Sequence, residues 1–432
     1  MRTPSLLISV LMSSALLVGC ADDSTPSTTA ALPTSTQVTP NSMSPTTTTP
    51  TNGTPETTEP PTAPVDGELV AQEAGTPPTD VRASATRLTY RIEGATGDPT
   101  NATATLLTPL GDAPAAGWPL MVWAPGVSGL ADACATGASP DLLGQAAFLA
   151  PVLAAGVAVV VPDYEGLGTD APATFRDSLS LAHATLGAAR AAHATGDTSD
   201  RFAIAGYSVG GQAALAAGER AAELAPDLTL VQVLSIAPAP SSAEAQTAHF
   251  DSQITAALAA GDTTRATTLM ATKTVLVSQL ISGLSVRHPE VRLTDSLGTN
   301  AAALAGAVTE RCTIDLIVQL FGDITKFAAG GGSIADYPGV LPGWFDEPAM
   351  AAALADNAYG TTAIAPPVVV VHGPGDQIVP YGATLVTIES LRAAGTDVTA
   401  VTSSALDHFG QLTAQEASAA RDLLVQTLMS PA

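Results

Sequence analysis

Two regimes of hydrophobic patterning divide the chain. Up to about residue 78 the only long apolar run is Leu6 to Val18, and the stretch after it is Thr, Pro and Ser with scattered acids. From about Val81 short apolar runs alternate with Ala-rich stretches of helical period. Residues 88–92 and 102–107 predict an early antiparallel strand pair, and 120–123 a buried strand. Next come a helix over 142–153, a strand over 157–161, a helix over 175–192 and a strand over 202–205, then a helix over 209–224 and a strand over 228–236. Continuously apolar strands separated by helices imply a mostly parallel sheet covered on both faces, with the active site at the carboxyl ends of its strands. The alternation stops over residues 240–362, where helical patterning at 253–260 and 272–284 is broken by Gly330, Gly331 and Gly332. It resumes with a strand at 367–371, a helix over 382–393, a strand at 397–402 and a last helix over 413–429. An insertion of that size between two core strands reads as a cap over the sheet, and a separate small domain is the alternative.

Composition narrows the function. The 432 residues are 46% hydrophobic and 13% charged, enough apolar material for a large core. The net charge is −24, from 40 acidic and 16 basic residues. Phosphate backbones and anionic lipid are both recognised by clustered Lys and Arg, so a nucleic-acid partner and electrostatic docking on a membrane are excluded.

The N-terminus reads as an address. Met1-Arg2 and the apolar run of about 13 residues have the layout of a secretory signal peptide, and the run is too short to span a bilayer. It ends in Leu17-Val18-Gly19-Cys20, which resembles the lipobox of bacterial lipoproteins. That resemblance implies a signal peptide over 1–19, a lipid attached at Cys20 and a protein held on the outer side of a membrane in the cell envelope. Residues 20–78 lack the large apolar side chains that would repay the entropy of ordering, so they are expected to form an extended tether, with the folded domain over 79–432. Apart from Cys20 the chain has Cys134 and Cys312, an even pair in an exported protein and hence a candidate disulfide; two buried free thiols are the alternative.

Gly206-Tyr207-Ser208-Val209-Gly210 matches G-x-S-x-G, a pattern expected by chance in roughly one chain in five of this composition. Its setting is what makes it informative. It follows the strand at 202–205 directly and opens the helix at 209–224, as a nucleophile on a tight strand-to-helix turn requires. At a helix N-terminus the unpaired N–H groups also favour developing negative charge.

A serine hydroxyl needs a base, and near neutral pH that is most often histidine. In this arrangement the chain order is Ser, acid, His. His183 and His193 precede the serine, His249 and His288 fall in the insertion, and His372 leaves no strand between itself and an acid. His408, just past the last strand, is the base. Asp376 lies beyond the strand at 367–371 in His372-Gly-Pro-Gly-Asp376 and is the acid; Asp407, beside the histidine, is the rival. Two backbone N–H groups should bind the oxyanion: Val209, and a residue of Ala124-Pro-Gly-Val-Ser-Gly129, with Val127 first and Ser128 second.

These residues resemble the secretory lipase family, which includes fungal secreted lipases of the Candida lipase A type and actinobacterial relatives. The resemblance rests on 124–129 with Cys134 shortly after, on Val161-Pro-Asp-Tyr-Glu-Gly-Leu-Gly168, on 206–211, on 372–381 and on His408. It implies an α/β-hydrolase fold, hydrolysis of carboxylic esters including triacylglycerols, no metal or organic cofactor, and a helical cap over the acyl pocket. It also implies a disulfide from the loop after the third strand into the cap, matching Cys134 and Cys312. The chain departs from the family in Cys134-Ala-Thr-Gly137, where Cys-Ala-Pro-Ser is common, and in Pro125, where a His is usual. Two other functions use the same features: an acyltransferase, in which an alcohol outcompetes water, and a surface-binding lipoprotein with an inactive hydrolase fold.

Overall fold

The computed structural model describes residues 66–403 and 407–430. Cys20, the signal peptide and most of the tether lie outside them. Nine strands form one sheet: β1 (Leu69–Ala74), β2 (Ala83–Glu93), β3 (Pro99–Pro109), β4 (Trp118–Ala124), β5 (Ala158–Asp163), β6 (Thr198–Tyr207), β7 (Thr229–Ile236), β8 (Val368–His372) and β9 (Val398–Thr402). Their spatial order is β1-β2-β3-β5-β4-β6-β7-β8-β9. The pairs from β1 to β3, and β3 with β5, are antiparallel; the other pairs are parallel. This is an α/β-hydrolase fold.

Period-two alternation within continuously apolar strands gives the sheet two buried faces. Leu120 and Val122 of β4 point with Phe202 and Ile204 of β6 into one core layer, closed by α2 (Ser178–Ala194) and α3 (Val209–Leu224). Met121 and Trp123 point with Ala203 and Ala205 into the other, closed by α1 (Ala146–Ala154) and, near the C-terminus, α10 (Gln415–Met429). Helix α9 (Tyr381–Ala393) joins the first layer through Ile388 and Leu391.

Between β7 and β8 come α4 (Ala243–Ala259), α5 (Thr263–Arg287), the short α6 (Thr299–Ala302), α7 (Thr313–Ala329) and α8 (Pro348–Asp356). These helices have a small core of their own, including Phe250, Met270, Leu316 and Ile324. Leu280, Ile281 and Leu284 near the end of α5, with Met350 and Ala353 of α8, belong instead to the main core. They tie the insertion to the sheet layer. Helix α5 is long and apolar enough to cross a membrane, but most of it is buried inside the protein, as a core helix is.

Several element boundaries differ from the pattern-based expectation. Strand β1 falls inside the stretch read as tether. It is mostly exposed, its short Leu69-Val-Ala71 run being interrupted by Gln72 and Glu73, and it is held by ladder hydrogen bonds to β2 rather than by burial. The first helix starts at Ala146, not 142, because Leu142 and Leu143 take left-handed backbone conformations (φ 52° and 56°). Helix α2 starts at Ser178 because Arg176 has φ 59° and Asp177 caps the helix, accepting the Ser180 N–H at 2.8 Å. Helices α4 and α5 begin about ten residues before the apolar pattern becomes clear, behind the caps Ser242 and Asp262. Cys134 and Cys312 form a disulfide with Cα atoms 5.5 Å apart, joining the segment after β4 to the start of α7.

Candidate active site

The turn between β6 and α3 is built without room for side chains. A Cβ on Gly206 would lie 2.0 Å from the Gly210 carbonyl oxygen, and one on Gly210 would lie 1.8 Å from that of Ala124. Ser208 between them has φ 59° and ψ −118°, a conformation non-glycine residues rarely adopt. Its surroundings hold it there: the Ser208 N–H donates to the Ile236 carbonyl at 2.9 Å, and its own carbonyl accepts the Ala239 N–H at 3.0 Å and the Gln212 N–H at 3.2 Å. The side chain is thereby presented at the carboxyl end of β6, at the N-terminus of α3.

His408 and Asp376 meet it from the ends of β9 and β8. The Ser208 hydroxyl lies 3.0 Å from His408 Nε2, and His408 Nδ1 lies 2.7 Å from Asp376 Oδ2. An ionised carboxylate only accepts, so Nδ1 carries the proton and Nε2 is free to receive one from the serine. The Tyr207 hydroxyl donates to the His408 carbonyl at 2.8 Å, and its ring lies 5.0 Å, centroid to centroid, from the imidazole. Asp376 Oδ1 accepts the N–H groups of Ile378 (2.9 Å) and Val379 (2.8 Å). Burial opposes ionisation of Asp376, but the charge of His408, together with its hydrogen bond and those of His372, outweighs burial and holds the carboxyl well below the usual carboxylate range. Asp407 is turned elsewhere and accepts the Gly410 N–H at 2.9 Å.

The remaining histidines have other partners: His183 pairs with Asp66, His193 sits 3.0 Å from the Thr198 carbonyl, and His288 lies near Glu290 and Asp356. Two converge on the acid as well. His249 of α4 lies 3.2 Å from the Asp376 carbonyl oxygen, and His372 Nε2 lies 3.1 Å from Asp376 Oδ2. Chain order sets His372 aside as a base, but it does not reveal the residue as a partner of the acid. The available signal is its spacing of four from Asp376 across a Gly-Pro-Gly turn.

The loop after β4 lies against this turn, as the closeness of Ala124 to Gly210 requires. Among the described residues none accepts a hydrogen bond from the N–H of Val209, Val127 or Ser128. Side chains from outside the loop fix it. Gln145 Oε1 accepts both the Trp123 indole N–H (3.0 Å) and the Gly126 N–H (3.3 Å), and the Tyr164 hydroxyl donates to the Pro125 carbonyl at 2.8 Å. The Ser128 carbonyl accepts the Thr313 N–H at 2.9 Å, next to the disulfide. Asp163, in the same motif as Tyr164, is ion-paired with Arg87 and accepts the Gly137 N–H at 2.8 Å. Gly137 of Cys134-Ala-Thr-Gly137 lies close under this pair, where a Cβ would come within 2.3 Å of the Arg87 guanidinium and 2.5 Å of the Thr105 hydroxyl.

The sequence matches the family model for secretory lipases over residues 142–424, well over half of the chain. The chain belongs to the secretory lipase family. It is a carboxylic ester hydrolase, and membership of a secretory family indicates export. Candida antarctica lipase A has a similar structure, with a TM-score of 0.63 at 19% identity, covering 85% of this chain and 83% of that one. The rice cell wall degrading esterase LipA from Xanthomonas oryzae is similar at a TM-score of 0.64 and 22% identity, covering 84% of this chain and 100% of the other. At such identities the likeness speaks for the fold. No curated protein matched the sequence.

Proposed function

We propose that this secretory lipase cleaves its esters by a serine mechanism, with Ser208 as nucleophile, His408 as base and then acid, and Asp376 as the group that orients and stabilises the imidazolium. The continuous hydrogen-bonded path from Ser208 Oγ through His408 to Asp376 carries this reading. Ser208 Oγ attacks the acyl carbon while His408 Nε2 takes its proton. The oxyanion of the tetrahedral intermediate is received by the N–H of Val209 and by that of Val127 or Ser128. Collapse expels the alcohol, which leaves with the proton from His408, and water then releases the acid from the acyl-enzyme by the same steps. The insertion of α4–α8 serves as a cap, and its apolar helices suit a long acyl chain, triacylglycerols included. Upstream, the lipobox-like Leu17-Val18-Gly19-Cys20 supports a lipid anchor at Cys20 and a tethered enzyme on the cell envelope.

The test is hydrolysis of p-nitrophenyl esters from acetate to palmitate by the full chain and by Ser208→Ala. The variant should lose about three or more orders of magnitude in kcat. Activity surviving in it would overturn the serine reading, and the chain-length optimum of the wild type separates lipase from esterase. Cys20→Ser should release the protein from the membrane fraction and abolish labelling by a radioactive fatty acid; labelling that persists would rule out an anchor at Cys20.

A further inference from the structure

His372 is the last residue of β8 and is 1% exposed. Its backbone is pinned: its carbonyl accepts the Ser403 N–H at 3.0 Å, and a Cβ on the following Gly373 would lie 1.5 Å from the Ser403 carbonyl oxygen. The ring is fixed at both nitrogens. Nε2 lies 3.1 Å from Asp376 Oδ2, and Nδ1 lies 2.8 Å from the Thr384 hydroxyl of α9. Because the carboxylate only accepts, Nε2 carries the hydrogen; in the neutral ring Nδ1 then accepts and Thr384 donates. The carboxylate thus sets the tautomer, and the Thr384 hydroxyl, by donating to Nδ1, polarises the ring and strengthens Nε2–H as a donor to the acid.

Asp376 therefore receives four hydrogen bonds, two of them on the oxygen that faces His408. Resting on the serine reading above, we propose that His372 is a positioning residue: its Nε2–H holds the Asp376 carboxylate in register for His408 and draws off part of its charge, which sets the acidic limb of the enzyme's pH profile. A carboxylate relieved of one donor would hold the imidazolium of His408 more firmly, so the free base would appear only at higher pH.

The titratable neighbours leave this role to His372. Tyr207 bonds the His408 backbone, Asp407 bonds Gly410, and His249 of α4 reaches the Asp376 carbonyl, not its carboxylate. Tyr381 packs edge-on against the His372 ring with centroids 5.4 Å apart, its hydroxyl bonded to Thr402 at 2.9 Å. Among the described residues His372 is thus the one side chain other than His408 on the acid's oxygens.

The experiment follows ester hydrolysis, and Ser208 labelling by a fluorophosphonate, from about pH 5 to pH 9 for the full chain and for His372→Phe, His372→Gln and Thr384→Val. His372→Phe should lose about tenfold in kcat near neutral pH at unchanged KM, with the acidic limb moved up by roughly half to one pH unit. His372→Gln, which keeps an N–H donor where Nε2 stood, should recover most of both. Thr384→Val should move the limb in the same direction by less. An unmoved limb in His372→Phe, or His372→Gln no better than Phe, would reduce His372 to packing and overturn the proposal. If His372→Phe does not fold, Thr384→Val decides: a moved limb supports the role and an unmoved one overturns it. Wild-type protein unlabelled at Ser208 would instead overturn the serine reading on which this rests.

Discussion

At the scale of single residues the site is a matter of where atoms cannot be. Gly210 is required because any Cβ there meets the Ala124 carbonyl, so Gly210→Ala should lose roughly 1–3 kcal/mol of stability and displace the turn that presents Ser208. Urea denaturation and hydrolysis rates of the variant check both effects. Asp376→Asn should keep the fold but lower kcat by about 10⁴, because the amide can donate to His408 and stabilise the wrong tautomer. Stability measured against pH gives a second handle. The folded-state proton affinity of Asp376 lies below that of a free carboxyl, near 3.9, so its contribution is complete above about pH 4 and is lost as pH falls toward the folded value. The difference in unfolding free energy between wild type and Asp376→Asn should accordingly shrink between about pH 4 and pH 2. A difference that stays constant would mean the carboxylate is not held ionised. The strand-to-helix turn that presents Ser208 was legible in the sequence because Gly-Tyr-Ser-Val-Gly is contiguous and flanked by a strand and a helix. The bonds of Tyr207, Gln145, Tyr164 and His372 were not, since each joins residues whose separation encodes no period.

At the scale of elements, apolar runs located the core strands because a strand buried on both faces has no polar positions to interrupt it. Starts of helices were less legible. A cap such as Asp262 precedes the polar turn Thr263-Thr264-Arg265, which carries no apolar stripe, so α5 reads as beginning later than it does. Strand β1 carried no signal of its own, being paired at the edge through backbone groups. The disulfide joins elements 178 residues apart in the chain and clamps the segment after β4 to the start of α7. Cys134→Ser or Cys312→Ser should lower stability by roughly 2–5 kcal/mol, read by denaturation with and without reductant. Reductant should destabilise the wild type and leave the variants unmoved; a wild type indifferent to it would mean the bond contributes nothing.

At the scale of the whole molecule the N-terminal boundary of the folded unit is decided by contacts rather than composition. Asp66 is buried, ion-paired with His183, and its Oδ1 accepts the Glu93 N–H at 2.8 Å. A chain beginning at Asp66 should fold and hydrolyse short esters, whereas one beginning at Thr79 lacks β1 and exposes the edge of β2, and should be less stable and prone to associate. Size-exclusion chromatography and melting curves of the two chains would distinguish this from a domain that starts at residue 79. The sequence by itself determined the fold class, the order of the elements and the identities of Ser208, His408 and Asp376 as candidates, because periodicity, small-residue turns and chain order are properties of neighbours along the chain. Only the tertiary structure decided that Asp376 rather than Asp407 faces His408, that His372 shares the acid's oxygen, and that Gln145 and Tyr164 hold the loop beside the serine. Those are meetings of side chains across the ends of different strands, fixed by sheet order and packing, which no local pattern records.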